Sequence, residues 1–296
     1  MKAVIWGHKI NTHTHSYIHY GFFRAFKYLG YDTYWMDDDD DVSNFDFSDC
    51  LFLTEGQVYN KIPCRKDCKY ILHNCGPKDG MGEFTTMQYI TYESYDFPEI
   101  YPGIKFKDNC VYLTWGSNLL PNEFNLDDIF LPRNNRIYYL GSVNPPNVGN
   151  YEAISAFAKE ATKSRYVVYI GGGYTGQHNN PDLKQLSGWI DESDQTNYLR
   201  TCFMQPALQG QNQLINGMIP CRAFKSASCG LDVITNNPLC YKYFEEGAVY
   251  NPDPAQLFYD AVGRQKELER KRLLMLFVRD YHTYVNNINA ILRVWK

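Results

Sequence analysis

The chain has 296 residues, enough for one large or two modest domains, and its 44% apolar and 21% charged content matches ordinary soluble globular proteins. Its formal net charge of −4 lacks the basic excess of a general nucleic-acid or membrane-surface binder, so composition argues for no nucleic acid among its partners. The opening "MKAVIWGHKI" is too short in apolar residues for a signal-peptide core, and no run approaches the roughly 18 of a membrane span, which reads as a cytoplasmic protein with no membrane span.

"KAVIW" (2–6) is a buried-strand run closed by Gly7. The next stretch, "GHKINTHTHSYIH", sets His8, His13 and His15 in or beside the loop after that strand. Ser16 is a suitable N-cap for the helix that follows; Ile18, Phe22, Phe23, Phe26 and Leu29 fall near helical spacing, and Gly30 ends it. His19 lies inside this helix and reads as structural. "DTYWM" is the second strand, so the chain opens as strand, helix, strand, the start of a parallel doubly wound sheet. The acidic run Asp37–Asp41 after it reads as a hydrated loop, with acceptor contact by Asp37 or Asp38 a lesser reading.

Further strands are expected at "CLFLT", "KYILH", "QYITY" and "VYLTW". Nine scattered cysteines, an odd number, read as free thiols. "CRKDC" (Cys64, Cys68) followed by "HNC" (His73, Cys75) invites a zinc reading, but the spacing fits no common zinc module and part of the segment reads as strand, so no metal is expected.

Pro, Asn and Asp accumulate in "NLLPNEFNLDDIFLPRNN" (118–135), which looks like a linker between a first domain, 1–128, and a second, 134–278. The second series has strands at "RIYYLGS", "YVVYIGGG", "CFMQP", "LDVIT" and "AVYN", helices at "NYEAISAFAKEAT" and "CRAFKSASCG", and closing helices from "PAQLFYDAV" onward. Two such series predict an α/β protein of two Rossmann-like domains facing across a cleft. "GGGYTG" matches G-x-G-x-x-G at Gly171, Gly173 and Gly176, with Asp191 and Asp194 at tolerable distances for a nicotinamide cofactor. "QHNNPDLKQL" is nonetheless a poor helix start for that reading.

"GMIPCRAFKSASCGLDVITNN" (217–237) holds a helix start at Pro220 and a stop at Gly230. Arg222 and Lys225 fall in its first turns, where the helix dipole disfavours cations unless an anion comes to meet them. A helix N-terminus offers free N–H groups to such an anion, and a diphosphate fits. Asn236 and Asn237 follow "LDVIT", and Gln209 and Gly210 follow "CFMQP", at the strand ends where open α/β sheets bind ligands.

These late residues carry a resemblance. "IPCRAFKSASCGLDVITNN", "FEEGAVYNPDPAQLFYDAV" and "RDYHTYVNNINAIL" resemble the C-terminal domain of GT-B glycosyltransferases, nearest the spore-maturation-type (CgeB-like) and family 4 branch, and "YLTWGSNLLPNEF" is similar to the end of that branch's N-terminal domain. The resemblance implies sugar transfer from a nucleoside-diphosphate-sugar donor to an acceptor hydroxyl of a glycan or other compound; charge on Arg222, Lys225 and the helix start can substitute for a metal there, so no cofactor or metal is expected. It places the donor against Gly141, Ser142, Gly171, Gly172, Gln209, Gly210, Arg222, Lys225, Ser226, Asn236 and Asn237. A loop histidine (His15, His8 or His13) is the base where such enzymes invert, and the segment from about 279 packs back on the first domain. Neutral imidazole suits that task at neutral pH. The pattern departs from the family at Lys225 and Gly217, where family members carry glutamates, so a retaining mechanism is not implied. The alternatives are a non-catalytic nucleotide or sugar binder of this fold, and a metal-dependent GT-A enzyme using Asp37–Asp41.

Overall fold

The computed structural model describes every residue except 14, 145–148, 172–179, 187–189 and 296. The chain forms two compact units. One comprises residues 1–90, 94–121 and 281–296, the other 91–93 and 122–280, so the change of unit at 121 precedes the 128–134 boundary expected from the sequence.

In the first unit β1 (Lys2–Trp6), α1 (Ser16–Tyr28) and β2 (Asp32–Met36) make the opening crossover. β3 (Cys50–Glu55), β4 (Lys69–His73) and β5 (Phe84–Tyr89) follow through loops rather than helices. The short β6 (Glu99–Tyr101), β7 (Ile104–Lys107) and β8 (Cys110–Leu113) complete an eight-stranded sheet of order β2-β1-β3-β4-β5-β8-β7-β6. Pairing is parallel from β2 across to β8 and antiparallel at β8–β7 and β7–β6. β1, β3 and β4 are nearly unbroken apolar runs because such strands are covered on both faces.

In the second unit β9 (Arg136–Leu140), α2 (Tyr151–Lys163), β10 (Val167–Gly171) and β11 (Leu183–Gln185) form one parallel half. α3 (Glu192–Thr201), β12 (Pro206–Ala207), α4 (Gln211–Asn216), α5 (Cys221–Ser228), β13 (Ile234–Thr235), α6 (Pro238–Tyr243) and β14 (Val249–Tyr250) form the other. A parallel bridge between Ile137 and Met204 joins the halves in the order β11-β10-β9-β12-β13-β14, the doubly wound order 3-2-1-4-5-6. α7 (Pro254–Gly263) lies beside α2, with Phe258 edge-on to Phe157 at 5.5 Å in the core that also holds Ile137 and Tyr139. α8 (Leu268–Tyr281) follows, and α9 (Tyr284–Ile291) belongs to the first unit, its Tyr284 ring 4.8 Å from Phe22 of α1. Among the described residues no helix is long and apolar enough to cross a membrane.

Each sheet has a place where strand order reverses: between β1 and β3 in the first unit, between β9 and β12 in the second. Ligands of open α/β sheets bind outside the strand carboxyl ends at such points.

Candidate active site

The reversal in the first unit gathers five histidines around one carboxylate. Glu55 ends β3 and His73 ends β4; they are register partners, and only 1% and 2% of their surfaces are exposed. His15, the N-cap residue of α1, makes a short hydrogen bond from Nδ1 to Glu55 Oε2. His73 Nδ1 stands 3.7 Å from the same oxygen, and His8 Nε2 3.5 Å from Oε1. Burial opposes ionisation of Glu55, but the hydrogen bonds from His15 and His73 outweigh it and hold the carboxyl well below its usual range.

The three predicted loop histidines are thus in one place with different roles. His15 gives Nδ1 to the carboxylate and presents Nε2 3.3 Å from the Tyr89 hydroxyl, with a fifth of its side chain exposed. His13 stacks on His8 at 4.1 Å and accepts the His15 backbone N–H at Nδ1, while burial and then the neighbouring imidazoles lower its pKa. His19 is buried against Gly7, and that burial pushes it down to about 3. Ser16 is the first helical residue rather than the N-cap, its hydroxyl donating to His13 O at 2.6 Å. Glu55 was missed by the sequence reading, and His73 was weighed only beside Cys64, Cys68 and Cys75; the available signal was a titratable residue closing each apolar strand.

Asp37–Asp41 is fastened to the scaffold. Asp38 accepts from Trp6 Nε1 at 2.8 Å and from the Asn60 and Lys61 backbone at 2.9 and 3.0 Å, and Asp40 pairs with Lys9 at 2.8 Å. Cys64 and Cys68 donate to the carbonyls of Ile62 and Phe47. Among the described residues, the one group of three or more His, Cys, Asp or Glu residues spaced to hold a metal is His15, Glu55 and His73.

The reversal in the second unit holds Arg222. Its guanidinium lies 4.2 Å from the Tyr139 ring centroid, Nη2 is 3.4 Å from Leu208 O, and buried Nε has no hydrogen-bond partner. Gly141, at the end of β9 with φ 152°, leaves the space the guanidinium fills; a Cβ there would overlap Nη1. Arg222 pairs with no carboxylate among the described residues. It is the second residue of α5, whose N-cap is Pro220, and no side chain caps that helix start. Lys225, fifth in this eight-residue helix, falls in its second and last turn, 3.1 Å from Gln195 Oε1. The Gly230 stop holds, with its N–H on Ala227 O and that of Leu231 on Ser226 O.

Several expected donor contacts are scaffold instead. Gln209 Nε2 donates to Met218 O at 2.7 Å, and Asn237 Nδ2 donates to Gln209 Oε1 and Met218 O at 2.6 and 2.8 Å. Asn236 exchanges two 3.0 Å bonds with the Gln209 backbone, and Asn237 Oδ1 caps α6 through the N–H groups of Leu239 and Cys240. With these polar atoms already paired and the residues buried, the amides are committed to the fold. Ser226 is likewise buried, donating to Gln205. Gly210 packs so closely on the Gly149 carbonyl that a Cβ would overlap it, and Gly171 packs against Leu140, Leu186 and Ile190. Ser142 lies beside Gly141, its carbonyl accepting from Asn150 Nδ2 at 3.2 Å. Gly172, with Gly173 and Gly176 of the dinucleotide pattern, lies outside the described residues.

No family model matches the sequence, and no curated protein resembles it in sequence. Solved structures do resemble its fold. An alpha-glucosyltransferase in complex with UDP aligns at TM-score 0.61 and 8% identity, covering 99% of this chain and 100% of its own. AviGT4, a glycosyltransferase of avilamycin A biosynthesis, aligns at TM-score 0.58 and 9% identity, covering 99% and 98%. These likenesses show the α/β GT-B fold. A third, at TM-score 0.60, 8% identity and 98% coverage of both chains, is an alpha-glucosyltransferase with UDP-glucose and DNA containing an abasic site. It overturns the exclusion of nucleic acid drawn from net charge. That sum over the whole chain says nothing of the local field that meets a partner.

Proposed function

We propose that the protein is a glycosyltransferase that binds a nucleoside-diphosphate sugar in its second unit and uses His15 of the first as base. The observation that carries this reading is Arg222: a partly buried guanidinium at the β9–β12 reversal, beside an uncapped helix start, with no carboxylate partner among the described residues. A diphosphate answers that charge, and Arg222 stabilises the charge that grows as the sugar leaves. Two neighbours of this fold were solved with UDP or UDP-glucose, which supports a uridine nucleotide as the first donor to test.

His15 Nε2 removes the acceptor hydroxyl proton, the acceptor oxygen bonds to the anomeric carbon, and the bond from that carbon to the diphosphate breaks. Glu55 orients the ring by holding Nδ1–H and stabilises the imidazolium that forms. One displacement inverts the anomeric configuration, so a retained configuration in the product would take the base role from His15. No metal is needed if Arg222 and the α5 N–H groups carry the diphosphate charge. The acceptor panel includes glycans and nucleic acid, because a neighbour of this fold was solved with DNA.

A thermal-shift screen with UDP, GDP, TDP and CDP, with and without divalent metal, tests the reading, since a bound ligand raises Tm by mass action. A shift lost in Arg222→Gln supports it; no shift with any diphosphate refutes it. The absence of acidic side chains at Gly217 and Lys225 favours a second reading, a non-catalytic nucleotide binder. It predicts the same shifts but no His15-dependent sugar transfer.

A further inference from the structure

We propose that His15, Glu55 and His73 form a site for one divalent first-row transition ion of the zinc type. One ligating atom from each lies within 4.8 Å of the others, a spread that modest side-chain rotation converts to bonds of about 2.0–2.2 Å. Two imidazoles and one carboxylate suit zinc, iron(II) or cobalt, whereas magnesium and calcium take oxygen ligands.

The ligands come from three elements whose positions are fixed independently. Glu55 and His73 are side by side through the β3–β4 register, and the α1 start brings His15 onto them. Three imidazoles converge on Glu55, counting His8 at 3.5 Å from Oε1. Two of their nitrogens, His8 Nε2 and His73 Nε2, are buried without a hydrogen-bond partner. Native interiors rarely leave buried polar atoms unpaired without a ligand or water. Partial exposure of His8 and His15, 14% and 20% of their side chains, gives the ion a way in.

The site stands on this geometry whether or not the chain transfers sugar. Where His15 is the base, an ion here takes up its ring or its carboxylate partner and inhibits transfer, so the two readings fail separately.

The probe is Co²⁺ alone, added to chelator-stripped full-length protein. It is chosen because the nine free cysteines would reveal any thiolate binding by an intense charge-transfer band. The expected result is one Co²⁺ per chain with the ligand-field spectrum of a nitrogen and oxygen site, displaced by Zn²⁺. Glu55→Gln and His15→Asn should each weaken binding at least tenfold. His15 is partly exposed, so unchanged circular dichroism and Tm in His15→Asn separate ligand loss from misfolding. Affinity unchanged in both variants, or a thiolate band, overturns the site.

Discussion

Arg222 occupies the space that a side chain on Gly141 would need, its guanidinium 4.2 Å from the centroid of the Tyr139 ring. Gly141→Ala therefore forces a backbone φ of 152° on a residue with a Cβ and displaces the cation. The expected strain is about 1–3 kcal/mol, measurable by urea denaturation. UDP affinity should fall at least tenfold, read from the thermal shift. A variant that binds UDP normally would separate Arg222 from the diphosphate.

Glu55 and His15 should behave as a unit. Glu55→Gln keeps the shape but replaces the charge that favours the His15 tautomer with its proton on Nδ1. Loss of general-base catalysis typically costs about 10²–10⁴ in kcat, with donor KM unchanged because the donor site proposed above is built from other residues. His13→Asn, which removes a stacking partner but no contact to Glu55, should cost much less. Steady-state kinetics of the two variants side by side decide it; equal losses would sink the assignment.

The buried histidines make folding stability pH-dependent with a definite sign. His19 and His282 are 2% and 1% exposed, and burial pushes each down to about 3. The unfolded chain protonates both near about 6.5 while the folded chain refuses those protons. Stability is thus full above about 6.5 and drains as pH falls toward 3, by about 1.4 kcal/mol per pH unit for each histidine. Glu55, held below its normal value when folded, adds a further loss as pH falls below about 4.3. Urea denaturation between about pH 7 and 5 should show the slope, and His282→Gln should remove one histidine's share of it.

Legibility followed locality. "KAVIW" and "CLFLTE" are strands because unbroken apolar runs suit a sheet covered on both faces, and Gly230 stops its helix as read. The β6–β7 hairpin was passed over although "YPG" marks its turn. Glu55 and His73 could not be paired beforehand, because their adjacency comes from the register of β3 on β4.

Asn236 and Asn237 show the same limit and give the last test. Strand-end asparagines are as suited to a ribose as to a backbone, and only tertiary structure says which partner wins. Here both side chains of the pair are spent within the fold, Asn237 on Gln209, Met218 and the α6 cap. Asn237→Ala removes that cap, worth about 0.5–2 kcal/mol. It also leaves the buried Gln209 Oε1 without the Asn237 donor, at about 1–3 kcal/mol, while the Met218 carbonyl keeps its bond from Gln209 Nε2. Tm should drop by several degrees while UDP affinity, measured at a temperature where the variant is folded, stays within twofold of the parent. A large loss of affinity without a loss of Tm would return Asn237 to the donor site.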